Sequence, residues 1–180
     1  MCTGSWRGRI GAFEGPDDAA RQRFEVINMS LGALVSFGPD QNNRDVAAIR
    51  SATKRVNDRV LRAGTVIVAS AGNDAFDLTR PALNLPGGTP GIIDVGATGV
   101  RPDPIYPQPG SYDVLAFYSN VGAPVDIVAP HVAGAAGLLR DAEPRLNPRQ
   151  VDARLRQTAD RIGHRLTFGH GMVDADAAIR

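Results

Sequence analysis

Two hydrophobic rhythms alternate along this chain. Val26, Ile27, Asn28, Met29 and Ser30 make a short, largely apolar run closed by Leu31 and Gly32, the pattern of a buried strand. Asn42 or Asn43 then offers a helix cap, and Val46, Ile49, Thr53, Val56 and Val60 recur at helical spacing until Gly64 stops the helix. Thr65, Val66, Ile67, Val68 and Ala69 follow with no polar alternation, as a strand covered on both faces requires. Strand, amphipathic helix and apolar strand form a βαβ unit, which implies parallel strands joined by a helical crossover.

The same grammar continues downstream. Residues 92–95 and 125–128 are two more apolar strands, separated by a Pro- and Gly-rich stretch from Val100 to Tyr112 that reads as a surface excursion. Residues 132–139 predict an Ala-rich helix whose small side chains suit close packing on a sheet. Asn147 and Pro148 place a cap and a first-turn proline before a helix to about Thr158, and Asp174 caps a last helix to Arg180. Residues 1–24 carry no such rhythm. They are rich in Gly and Arg, Pro16, Asp17 and Asp18 are their one helix-start signal, and little independent order is expected of them. With no repeat and no linker, the pattern predicts one α/β domain.

Composition narrows the functional classes. The 180 residues are 43% hydrophobic with a formal net charge of +1, which favours neither a nucleic-acid nor an anionic-membrane partner. Lys54 is the only lysine, and the arginines are scattered rather than clustered. Cys2 is the only cysteine, so no internal disulfide forms. No stretch has the length of a membrane span, and no apolar run near Met1 reads as a secretory signal, so location stays open. His131, His164 and His170 lack paired-ligand spacing for zinc, and no metal site is expected. Asp174 and Asp176 read as a helix cap and a first-turn acid rather than as catalytic carboxylates. Neither a P-loop nor a G-x-G-x-x-G fingerprint is present to support nucleotide binding.

One turn has two readings. Ala71, Gly72, Asn73 and Asp74 follow an apolar strand, where Gly-Asn serves a tight turn or presents an exposed amide at the strand's carboxyl end. Several ordered motifs decide how that turn is weighed. Val-Ile-Asn-Met-Ser-Leu-Gly at 26–32 resembles the substrate-binding strand of the subtilisin-like serine proteases, the subtilases. Val-Ile-Val-Ala-Ser-Ala-Gly-Asn at 66–73 resembles the strand and turn that carry their oxyanion asparagine. Pro-Gly-Ile-Ile-Asp-Val-Gly-Ala at 90–97 is similar to the core strand that follows. Phe-Tyr-Ser-Asn-Val-Gly at 117–122 and Val-Asp-Ile-Val-Ala-Pro at 125–130 resemble the approach to the nucleophile loop. His-Val-Ala-Gly-Ala-Ala at 131–136 resembles the helix after the catalytic serine, and residues 168–175 resemble the family's closing segment.

The likeness covers about residues 25–180, as a partial catalytic domain, and leaves 1–24 as a poorly readable N-terminal segment. It implies a three-layer α/β fold with a mostly parallel sheet flanked by helices, lacking the N-terminal part and the nucleophile loop. It also implies peptide-bond hydrolysis of a protein or peptide substrate. By position in the motifs, Asn73 is the oxyanion donor, and Ser30, Leu31 and Gly32 offer backbone to an extended peptide. Ala69, Ser70, Ala71 and Gly72 form a wall of the pocket for the residue before the scissile bond. Calcium is frequent in the family, yet no ligand set in this chain can be assigned to it, and no other cofactor is implied. The family is mostly secreted.

The chemistry of that family requires a serine, a histidine to take its proton and an aspartate to orient the histidine. The family's Asp and His motifs precede the 26–32 strand, but the 29 residues before Ser30 contain no histidine. Residues 128–134 read Val-Ala-Pro-His-Val-Ala-Gly, so Pro130 runs straight into His131 where the family places its serine loop. His131 resembles the non-catalytic histidine behind the serine helix and is expected to be packed or hydrogen-bonded, and Ser70 to line a pocket rather than attack. The chain as it stands is therefore expected to be inactive. The alternative is a peptide-binding pseudoprotease using the edge at residues 30–32, and a third arrangement supplies the missing pieces in trans. Closing the gap at residue 130 should make the following helix shift, lose its first turn or leave its place. Missing strands should expose apolar sheet edges and faces, giving marginal stability.

Overall fold

Residues 66–70 are strand because β-branched Val66, Ile67 and Val68 find apolar cover on both sides of the sheet. In the computed structural model, which describes residues 11–36, 43–79, 82–99, 114–129 and 131–180, they form β3 (Val66–Ser70) beside β1 (Val26–Met29). The register runs Val26 opposite Val66 to Met29 opposite Ala69, in parallel. β5 (Ile93–Gly96) pairs with the other side of β3, and β8 (Ile127–Val128) with β5, so the parallel sheet is ordered β1-β3-β5-β8.

Side chains alternate across this sheet and meet a different layer on each face. Val66, Val68, Ile93 and Ile127 pack under α3 (Val132–Ala142), α4 (Pro148–Thr158) and α6 (Ala175–Ile179) through Val132, Ala136, Leu139, Val151, Leu155 and Ala178. Met29, Ile67, Ala69 and Ile92 pack on the other face against Val56 and Val60 of α2 (Asn43–Arg62). The result is the expected three-layer α/β arrangement.

The helix signals hold with two amendments. Asn147 caps α4, accepting from the Gln150 backbone at 3.0 Å while the Gln150 side chain accepts from the Asn147 backbone at 2.9 Å. Asp174 caps α6 by accepting from Ala177 N at 2.9 Å. Gly64, at φ +92°, ends α2 in a conformation that a side chain disfavours. Within α2, Val46, Thr53, Val56 and Val60 are buried, but Ile49 is exposed, lying at the margin of the apolar stripe. The segment before Phe24 contains α1 (Gly11–Arg21), which packs on α2, with Pro16 buried and Asp17 bridged to Arg59 at 2.9 Å. The helix begins at Gly11, so the expected start at Pro16, Asp17 and Asp18 falls inside it, and its packing on α2 supplies order that the segment was not expected to have alone.

Two short antiparallel pairs were not foreseen. β2 (Ala33–Ser36) pairs with β4 (Ala82–Leu85), and β6 (Thr98–Gly99) with β7 (Val114–Leu115). A short helix, α5 (Arg165–Phe168), precedes the closing turn. The expected excursion from Val100 to Tyr112 lies outside the described residues, as do Asn42 and Pro130.

The helix after the Pro130–His131 junction does not leave its place. α3 packs against β1, β3, α4 and α6, although His131 at its N-cap provides no side-chain cap bond. Sheet exposure is also smaller than expected. β1 has β3 as its one described neighbour, leaving an open edge, yet Met29 is buried and Val26 and Ile27 are half-buried against the two helical layers.

Candidate functional site

A groove of about 420 Å³ crosses the carboxyl ends of β1, β3, β5 and β8 and reaches the head of α3. In α/β sheets that is where strand ends leave room and polar groups for ligands. Asn28 and Ser30 line it from β1, Ser70, Gly72 and Asn73 from the turn after β3, and His131 to Gly134 from α3. Tyr118 flanks the turn. Five of the expected site residues, Ser30, Ala69, Ser70, Gly72 and Asn73, thus share one groove.

The turn is built by a residue that the sequence reading did not single out. Asn120 is fully buried and spends its whole side chain on residues 71–76. Its Nδ2 donates to Ala71 O at 2.8 Å and to Asp74 Oδ2 at 3.1 Å, while its Oδ1 accepts from Asp74 N at 3.0 Å and Phe76 N at 2.9 Å. Its backbone N donates to Gly72 O at 3.2 Å, and Ala71 N donates to Val95 O at 2.8 Å. Gly72 sits at φ +103°, and a Cβ there would lie 2.4 Å from Asn120 Nδ2, so both conformation and contact demand glycine. Asn73 projects from this frame with its side chain exposed.

The remaining expected residues fall elsewhere. Leu31 is exposed, Ala71 is fully buried, and Gly32 lies against the Asn84 amide, so these three do not line the groove. Ser70 Oγ reaches Leu31 O only at 3.5 Å. His131 corrects an expectation. It is exposed at the groove and makes no side-chain capping bond, since it sits at the N-cap of α3 with its ring toward solvent-accessible space. His164 Nδ1 accepts from Leu166 N at 3.2 Å as the cap of α5, and His170 Nε2 is 3.2 Å from an Arg165 guanidinium. Burial and the nearby Arg165 and Arg156 charges lower the His170 pKa. No Ser, His and Asp come together as a triad among the described residues, nor does any cluster of metal-ligating side chains.

A second electrostatic centre involves β5 and β8. Asp126 Oδ2 accepts from Asp94 N at 2.9 Å, and its other oxygen meets Arg156 at 2.9 Å. Arg156 also chelates Asp152. Burial pushes the Asp126 carboxyl up to about 6, against the pull of the Asp94 amide and Arg156. Asp94 is nearly inaccessible, and neither of its oxygens has a partner among the described residues. Burial first, then the Asp126 charge, raises its pKa well above the usual carboxylate value. This pair lies apart from the groove, which it does not line.

Comparison with known proteins gives consistent results. Residues 12–130 match the Subtilase family. Subtilisin DY of Bacillus licheniformis is 28% identical over 184 residues, covering 89% of this chain and 58% of its own length. Subtilisin NAT of Bacillus subtilis subsp. natto is 29% identical, with 89% of this chain and 42% of its length covered. The chain therefore spans about half the length of these relatives. Among solved structures, one titled as a lanthipeptide protease superposes with a TM-score of 0.74 at 20% identity, over 93% of this chain and 64% of that one. A protease from Pseudoalteromonas arctica PAMC 21717 gives a TM-score of 0.65 at 25% identity, over 86% and 50% of the two chains.

Proposed function

Because this chain belongs to the subtilase family, we propose that its groove is the substrate-binding part of a serine endopeptidase centre, able to hold an extended peptide but not to cleave it. The observation that carries this reading is the meeting of the Asn28–Ser30 edge with the Ser70–Asn73 turn in one groove. An extended peptide pairs with the backbone at Ser30, Leu31 and Gly32, as an added strand pairs with an open edge. Asn73 is the donor that would meet the oxyanion of a tetrahedral intermediate, since its amide is exposed and its turn is held rigid. Among the described residues no Ser-His-Asp relay stands beside it, so attack on the carbonyl has no activated nucleophile there.

Two assays test the halves of this reading. The chain should give no covalent adduct with a fluorophosphonate probe; labelling that disappears when one serine is substituted means that a nucleophile is present after all. It should also bind extended peptides saturably, and more weakly when proline replaces a residue whose N–H pairs with the edge. Gain of hydrolysis on mixing with a polypeptide carrying the family's Asp and His motifs and serine loop would mark the chain as one part of a split enzyme.

A further inference from the structure

A smaller cavity, of about 220 Å³, shares no lining residue with the groove. It falls below the roughly 300–1,000 Å³ of sites for drug-sized ligands, so an occupant must be small. Backbone bonds pin α5 and the turn after it onto the approach to β8: Leu166 O accepts from Gly122 N at 2.7 Å, and His170 N donates to Asp126 O at 2.7 Å. One wall of the cavity is polar, from Asp126, Arg156, Arg165 and His170, and the other is apolar, from Ala123, buried Val125 and exposed Leu166. On the polar wall both Asp126 oxygens are engaged, one by Asp94 N and one by Arg156. Arg156 spends Nε and one terminal nitrogen on Asp152 and the other on Asp126, which leaves some of its five N–H donors unspent. Arg165 pairs with no carboxylate among the described residues and donates to His170 Nε2 at 3.2 Å, so the ring proton sits on Nδ1. Burial and the charges of Arg165 and Arg156 oppose a second proton on that ring. Arg156 is thus already balanced by carboxylates, whereas the charge of Arg165 is not.

We propose that this cavity binds a small organic acid, with its carboxylate on Arg165 and Arg156 and its short hydrocarbon chain on Val125 and Leu166. A carboxylate brings one negative charge and a planar pair of oxygens that a guanidinium matches. Inorganic phosphate brings a second charge next to Asp126, and oxygens for which the apolar wall has no donor. A cation meets Arg165 and finds the Asp126 oxygens already bonded. The hydrocarbon chain covers Leu166, which is otherwise open to water, so an acid of several carbons is favoured over acetate. Nothing in this site depends on peptide docking in the groove.

The test titrates the full chain with pentanoate, acetate, inorganic phosphate and pentylamine, following the histidine ring protons by NMR. The signal lost in His170→Gln identifies His170. Pentanoate is expected to shift that signal saturably at millimolar concentration and to leave His131, in the groove, unmoved. Acetate and phosphate should bind at least fivefold more weakly, and pentylamine should produce no saturable shift. Arg165→Gln should weaken pentanoate at least tenfold and Leu166→Ala at least threefold; both side chains are exposed, and a melting curve shows that each variant is folded. The wild-type series stands without either variant. Equal affinity for acetate and pentanoate overturns the role of Val125 and Leu166. Absence of a saturable pentanoate shift at His170, or phosphate or pentylamine binding as tightly as pentanoate, overturns the site as an organic-acid site.

Discussion

The turn at residues 71–76 and the edge at residues 28–32 border the same groove but are built in opposite ways. In the turn, the backbone at Ala71, Gly72, Asp74, Ala75 and Phe76 is bonded to Asn120, Val95, Tyr118 or Val121. At the edge, Ser30 and Leu31 are exposed, the Asn28 side chain donates to Ser30 Oγ at 3.0 Å, and β1 has a single described strand partner. A donor that must meet developing charge gains from being held before the substrate arrives. A strand that must accept another strand gains from unpaired backbone. Under the proposed reading the difference divides labour: the turn is preorganised, and the edge is left open.

Asn120→Ala attacks the rigid side of that contrast most directly. It strands Ala71 O, Asp74 N and Phe76 N in or near the core, and should cost about 3–5 kcal/mol of stability. Urea titration measures this, and a loss below about 1 kcal/mol would mean the network does not hold the turn. Gly72→Ala should cost about 2 kcal/mol, from the positive φ and the collision with Asn120. In the double variant that collision is relieved, so the two losses should fall short of adding.

The Asp94–Asp126 pair gives a pH prediction that leaves the groove untouched. Both carboxyls hold their protons more tightly folded than in an unfolded chain, where the value is about 3.9. Their favourable contribution is therefore complete below about pH 4 and is lost as pH rises, through about 6 for Asp126. The melting midpoint should fall between pH 5 and pH 8. Asp94→Asn should flatten that fall and stabilise the chain at pH 8 by about 1–2 kcal/mol, because an amide has no charge to keep out of the core. A lower midpoint for the variant at pH 8 would show that the charged form has a partner. The smallest effect belongs to the open edge: Leu31→Ala should shift stability by less than about 0.5 kcal/mol, measured on the same urea scale.

Local pattern carried the parallel sheet and its helices because those elements are buried on whole faces. Val66 to Ala69 could be little else, and Asn147, Pro148 and Asp174 announce helix starts through their own side chains. The β2–β4 pair stayed hidden since four-residue strands meet there across more than forty intervening positions, and nothing near Ala82 reports on Ala33. α1 was hidden by Gly11, Gly15 and Pro16, which weaken helix propensity that contact with α2 then restores. At the site, Ser30, Ser70 and Asn73 were legible from motifs. Asn84 and Asn120 were not, because a lone asparagine in sequence suggests a turn, whereas their bonded partners Ser70 and Ala71 lie 14 and 49 residues away.

Incubating the purified full chain with a fluorescein-labelled extended peptide, while following anisotropy and peptide mass together, tests the central claim most directly. The predicted result is saturable binding with the peptide recovered intact, and binding weakened by proline at an edge-paired position. Cleavage of the peptide, or absence of any saturable binding, would contradict it.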